Sequence, residues 1–157
     1  MRQSNIIVAC GIMAVTAVGT ADLQAQRPDI RFGPQLSLAE DADVGIGGRL
    51  EIGLPRAPVS IWGSFDLFFP DGPADYWEFN ANASYDFHLP TTPTVVPYAG
   101  GGLNIAHISV GPADDTDAGL NLLGGVRFPL PSVMPFFELR IELGGGEMFV
   151  ATGGVLF

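Results

Sequence analysis

Between Val44 and Leu54 apolar and polar residues alternate one by one. Val44, Ile46, Leu50, Ile52 and Leu54 fall on one side with Gly48, and Gly45, Gly47, Arg49, Glu51 and Gly53 fall on the other. A helix would scatter these charges around its surface, whereas a two-residue period collects them on one face of a strand. The pattern recurs along the chain, so the fold must offer each strand an apolar surrounding on one side and a polar one on the other. Mean hydropathy is +0.30 with only 15% charged residues. Yet beyond the N-terminal segment no apolar run approaches the roughly 20 residues that a membrane helix needs. An apolar chain without a continuous apolar run is the pattern of strands with lipid outside and a polar lumen inside.

Eight such strands are predicted. The first, about Ile30 to Leu38, alternates Ile30, Phe32, Pro34, Leu36 and Leu38 against Arg31, Gly33, Gln35 and Ser37, with Pro34 removing a ladder donor. The second is Val44–Leu54. Val59–Phe69 turns Val59, Ile61, Phe65, Leu67 and Phe69 outward, and Ser60, Ser64 and Asp66 inward beside Trp62 and Phe68. Tyr76–His88 puts Trp77, Phe79, Ala81, Ala83, Tyr85 and Phe87 outward, aromatic towards both ends as in the girdles that meet lipid headgroups. Glu78, Asn80, Asn82, Ser84 and Asp86 face the other way. Val96–Val110 carries Leu103 and Ile105 on one parity but Ile108 and Val110 on the other, which predicts a bulge near His107. Its Gly100-Gly101-Gly102 precedes no helix, and reads as close strand packing rather than a phosphate cradle. Gly119–Phe128 sets Leu120, Leu122, Val126 and Phe128 against Asn121 and Arg127. Phe136–Leu143 sets Phe137, Leu139, Ile141 and Leu143 against Glu138, Arg140 and Glu142. Glu147–Phe157 is the eighth. Eight strands of ~10 residues use roughly 80 residues and leave about 50 for the tail and connections.

The connections fall into two kinds that alternate. Ala39–Asp43, Pro70–Asp75, Gly111–Ala118 and Gly144–Glu147 are acidic, while Pro55–Pro58, Leu89–Thr94 and Pro129–Pro135 are rich in proline and hold no acid. Up-and-down topology gathers each kind at one end of a barrel, the acidic set facing outside and the proline set the periplasm. The acidic connections are short for extracellular loops. Basic residues number 7, all arginine, against 17 acids. This balance argues against nucleic acid, which is bound by neutralising its charge.

The N-terminal segment reads as an export signal spanning residues 1–25: Arg2, the apolar run Ile6–Val18, then Leu23-Gln24-Ala25 with cleavage after Ala25. Cys10 lies inside the apolar run, which continues past it, so a lipoprotein reading is the weaker one. Cleavage at Ala25 leaves a barrel domain, residues 26–157, with no cysteine and so no disulfide, thiol nucleophile or cysteine-bound metal.

A strand that ends a sheet needs a partner, and in a closed barrel the last strand pairs with the first. Phe149, Ala151, Gly153, Val155 and Phe157 form an outward face on the last strand, with Met148, Val150 and Leu156 on its inner one. The final Phe157, with Val155 two before it, resembles the C-terminal assembly signal of bacterial outer-membrane barrels. With the export signal, the alternating strands and the run Pro97-Tyr98-Ala99-Gly100-Gly101-Gly102, the chain resembles the small outer-membrane β-barrel family of Gram-negative bacteria. That family includes the transmembrane domain of outer membrane protein A. The resemblance implies an all-β, eight-stranded antiparallel up-and-down transmembrane barrel in the outer membrane. It further implies outer-membrane lipid and the barrel-assembly machinery as partners, the latter through Val155 and Phe157, and a monomer without cofactor. A soluble lipocalin-like barrel would reverse the parity and place apolar faces inward.

The inward charges are Arg49, Glu51, Asp66, Glu78, Asp86, Arg127, Glu138, Arg140 and Glu142. An unpaired carboxylate is costly away from water, so six acids over three arginines imply trapped water, protonation or placement near the ends. An eight-stranded barrel is just wide enough for side chains to fill, so the expected role is structural or interaction, with a lumen plugged by ion pairs. A narrow porin-like conductance is the alternative. His107 and Ser109 share one face of a strand near three aspartates and resemble the His-x-Ser of outer-membrane lipid A deacylases, without that family's longer signature; a lipid esterase is the enzymatic alternative. Asp114, Asp115 and Asp117 are candidates for a hard divalent cation, lacking the glycine and bidentate glutamate of an EF-hand loop, and the acidic connections for lipopolysaccharide.

Overall fold

A computed structural model describes residues 28–40, 43–144 and 147–157. The expected export signal and Cys10 lie outside the described residues. The chain forms β1 (Asp29–Ala39), β2 (Asp43–Gly53), β3 (Val59–Phe68), β4 (Ala74–Asp86), β5 (Val96–Val110), β6 (Ala113–Arg127), β7 (Met134–Leu143) and β8 (Met148–Leu156). Each strand is antiparallel to its neighbours, and β8 returns to β1, which closes an eight-stranded up-and-down barrel. Asp29 and Phe157 mark one end, called here the terminal end. The acidic connections gather at the far end and the proline-rich ones at the terminal end.

The parity is the one the alternation predicts. Leu50 is 51% exposed and Leu139 41%, whereas their strand neighbours Arg49 and Arg140 are 2% and 0% exposed. So large an exposed apolar belt belongs in lipid, since water would not support it. A lipocalin-like arrangement is excluded, because it needs Leu50 and Leu139 inside.

Inside, bulky side chains find room because glycines stand opposite them. Gly45 pairs with Phe68, Gly125 with Tyr98 and Gly154 with Phe136. A Cβ would sit 2.7 Å from Phe68 Cδ1, 2.6 Å from Tyr98 Oη and 2.6 Å from Phe136 Cε1 at these three sites. Each ring lies over the glycine across the ladder, in the way cross-strand neighbours meet on one face. Gly100–Gly102 are close-packed as well, since a Cβ at any of them would run into a carbonyl of β4 or β6.

Two departures from the sequence reading concern β5 and β6. The ladders on both sides of β5 keep one register, from Asp86–Tyr98 to Ala74–Val110 and from Val96–Arg127 to Val110–Ala113, so no bulge occurs at His107. Gly111 and Pro112 alone make the turn, Gly111 at φ 61°, as a tight hairpin with glycine in its first central position allows. Residues 113–118, expected in a loop, are therefore strand. The β6–β7 ladder ends at Leu120–Leu143, which among the described residues leaves 113–117 with β5 alone as partner, in an arm standing past the rim. Ile108 and Val110 keep the lumen parity of Tyr98 and Asn104 but are exposed. Beyond the rim water meets both faces, so the alternation there no longer reports on inside and outside.

The closing seam has its own irregularity. Phe32 and Phe157 exchange backbone bonds of 3.3 and 2.9 Å, and Glu40 N donates to the Phe149 carbonyl at 3.0 Å. In this register Pro34 faces Val155 at a bonding position and has no N–H to give. The Val155 carbonyl instead closes onto Gly33, where any Cβ would overlap it.

Candidate functional sites in the lumen and at the far rim

The inward strand faces bring eight of the nine predicted charges into one chain along the barrel axis. At the terminal end Arg127 Nη1 donates to Asp86, and its Nε lies 2.9 Å from Glu51 Oε1. The guanidinium also lies 3.8 Å from the centre of the Tyr98 ring. Midway, Arg49 is sandwiched between Trp62 (3.7 Å) and Phe136 (4.1 Å) and donates to Glu138 Oε1 at 2.8 Å. Tyr98 donates to the other Glu138 oxygen at 2.8 Å. Towards the far end Arg140 donates to Glu142 Oε1 (2.6 Å) and Glu78 Oε2 (3.1 Å), Asn104 Nδ2 donates to Glu142 (2.7 Å), and the Tyr76 hydroxyl donates to Glu78. Two looser joints link the three groups: Arg49 Nη1 to Glu51 at 4.0 Å and Arg140 Nη1 to Glu138 at 3.9 Å. Arginine suits this setting because one flat fork can stack on rings and bond two acids at once, which a lysine ammonium cannot.

Asp66 stands apart. Fully buried, it has no arginine and is solvated by neutral donors: Gln35 Nε2 at 2.8 Å to each oxygen, Ser37 at 3.1 Å and Ser64 at 3.3 Å. The excess of acid is thus held in two ways, with neutral hydrogen bonds at Asp66 and a mouth position for Asp86, whose side chain is 14% exposed. Gln35, Ser37, Tyr98, Asn104 and the rings of Trp62 and Phe136 do as much for the lumen as the charges, though charge alone singled out the nine. Their shared inward parity was the signal that would have added them. Apolar clusters pack among these charges at both ends of the lumen. Ala39, Phe68 and Val150, with Tyr76 and Met148, cluster towards the far end, and Met134, Phe136 and Leu156 cluster on the terminal side beside a recess of ≈180 Å³ that ends on Glu51 and Arg127.

At the far rim the predicted residues are placed but not gathered into a reacting group. His107 stacks on Trp77 with ring centres 5.1 Å apart, and its Nδ1 meets Thr116 Oγ1 at 2.7 Å. Ser109 pairs with Asp75 on β4 and Asp114 on β6, and its hydroxyl makes no hydrogen bond to His107. Asp114 lies on the opposite face of β6 from Asp115 and Asp117, because strand residues alternate. Among the described residues no three His, Cys, Asp or Glu side chains converge as metal ligands. Val155 lies on the outer face of β8, and the Phe157 ring is exposed at the terminal end.

A closed antiparallel cylinder with an apolar exterior and a charged, side-chain-filled interior defines a transmembrane β-barrel, the class that spans the outer membrane of Gram-negative bacteria. Solved structures of that class are similar to the chain throughout its described length. The N-terminal β-barrel domain of Pseudomonas aeruginosa OprF is 16% identical at TM-score 0.67, covering 83% of this chain and 98% of that one. Neisserial surface protein A (NspA) is 20% identical at TM-score 0.58, covering 81% and 94%. Ail, the attachment invasion locus protein of Yersinia pestis, is 17% identical at TM-score 0.54, covering 82% and 94%. No protein-family model matches the sequence, and no curated protein sequence matches it.

Proposed function

We propose that this chain is an outer-membrane barrel of structural and interaction type that does not conduct, with its acidic far end outside the cell and its terminal end in the periplasm. The observation that carries this reading is the lumen: ion pairs run along it from Asp86 to Glu78 and Glu142, with apolar clusters packed among them. A path for ions would require several buried pairs to part together, and each costs energy to break. Val155 and Phe157, on the last strand at the seam, are the segment offered to the assembly machinery. The barrel is a monomer needing no cofactor. Ail has been solved in complex with the heparin analogue sucrose octasulfate, but a sulfated ligand does not suit a far end that carries Glu40, Asp71, Asp75, Asp114, Asp115 and Asp117. Cations, or lipopolysaccharide bridged by them, suit it better. The esterase reading finds no support in the geometry, since Thr116 and not Ser109 takes the bonding ring nitrogen of His107.

Planar-bilayer recording of the purified full chain tests the closed lumen. The expected record is a flat baseline at both polarities, and large, stable open channels would contradict the proposal.

A further inference from the structure

We propose that the free edge of β6 beyond the rim takes up an extended, basic segment of a partner protein as an added strand. This rests on the interaction reading above and gives it a place and a partner chemistry. Along an antiparallel strand, successive residues direct their N–H and C=O groups to opposite neighbours. The bond from Phe128 N to the Pro135 carbonyl (2.9 Å) sets the even-numbered residues of β6 towards β7. Because the ladder to β7 ends at Leu143, Asp114 and Thr116 aim their backbone groups away from β5, where among the described residues no strand receives them. Thr116 N donates to the neighbouring Asp115 side chain at 3.0 Å, a local substitute that an incoming carbonyl would displace. An exposed strand edge is a template for main-chain pairing, and strand addition is a common way to bind extended peptides.

Three further features favour a partner over a merely tolerated edge. The arm is stiff: the Trp77 ring on β4 stacks with His107 on β5, which bonds Thr116 on β6, so three strands are tied side by side. It offers two apolar side chains, Ile108 and Val110, exposed above the rim on the face that also carries Asp115 and Asp117. Its charge has one sign, with Asp75, Asp114, Asp115 and Asp117 on the arm and, among the described residues, no arginine at that end. A second copy of the same edge would bring aspartates against aspartates, whereas lysine or arginine side chains would meet them favourably. Residues 113–118 reach about 20 Å, room for a segment of roughly six residues.

The test uses the refolded full chain in detergent micelles and two synthetic peptides, one alternating Lys and Val, the other Glu and Val. The Lys-Val peptide is expected to bind and to slow hydrogen exchange at Asp114 and Thr116, while the Glu-Val peptide leaves exchange unchanged. Thr116→Pro and, separately, Asp114→Pro remove an edge donor that β5 does not use, and each should weaken binding by about tenfold or more. Binding of the Lys-Val peptide that both proline variants retain would assign it to bulk charge and overturn the proposal. So would unchanged exchange along 113–118, or equal binding of the Glu-Val peptide. Failure here leaves a flat conductance record standing, so the two readings fall separately.

Discussion

The arginines show at single-residue scale how a lumen this narrow is filled. Removing Arg140 would leave Glu78 and Glu142 crowded together without their cation. An uncompensated buried charge of this kind costs about 3–5 kcal/mol. Arg140→Met should therefore lower the urea midpoint of the refolded barrel in vesicles, while Arg56→Ala on an exposed turn stays within about 0.5 kcal/mol. Glycines divide by the same logic. Gly45→Ala forces the Phe68 ring aside, since that ring holds the nearest atoms its Cβ would meet, and should cost about 1–3 kcal/mol, a penalty that Phe68→Leu in the same chain reduces. At outward Gly48 a Cβ meets nothing nearer than 3.7 Å, so Gly48→Ala should be neutral or slightly stabilising. Equal effects at the two glycines would contradict the idea that inner glycines are cavities for cross-strand rings.

Among the elements, the β5–β6 arm separates what the sequence disclosed from what it hid. Where lipid and lumen bracket a strand, as at Arg49, Glu51 and Glu138, alternation placed the charges without any coordinates. Past the rim that contrast disappears, so Ile108 and Val110 looked like a broken pattern when only their surroundings had changed. The acids at 114–117 looked like a loop for the same reason, although Gly111-Pro112 already held a sufficient turn. The partners of each charge were hidden as well, because they come from strands distant in sequence: Arg49 and Glu138 meet across the lumen, and no spacing rule brings them together. The arm also explains His107 without catalysis. His107→Ala should speed amide exchange over 106–118 while leaving the urea midpoint within about 0.5 kcal/mol. A large fall in that midpoint would show that the stack serves the barrel and not the arm.

For the molecule as a whole, the inverted polarity predicts how it partitions: alkaline carbonate should leave it with the membrane pellet, and only detergent should release it. Closure sets the remaining behaviour. A hoop is weakest where its two ends are joined, and here Pro34 leaves that join one rung short. Warming should part β1 from β8 before any other neighbours, peeling the cylinder into a curled ribbon. A covalent clasp between Ser37→Cys and Thr152→Cys, which face each other across the join, should then raise the temperature at which it opens, and more than a similar clasp placed between β3 and β4.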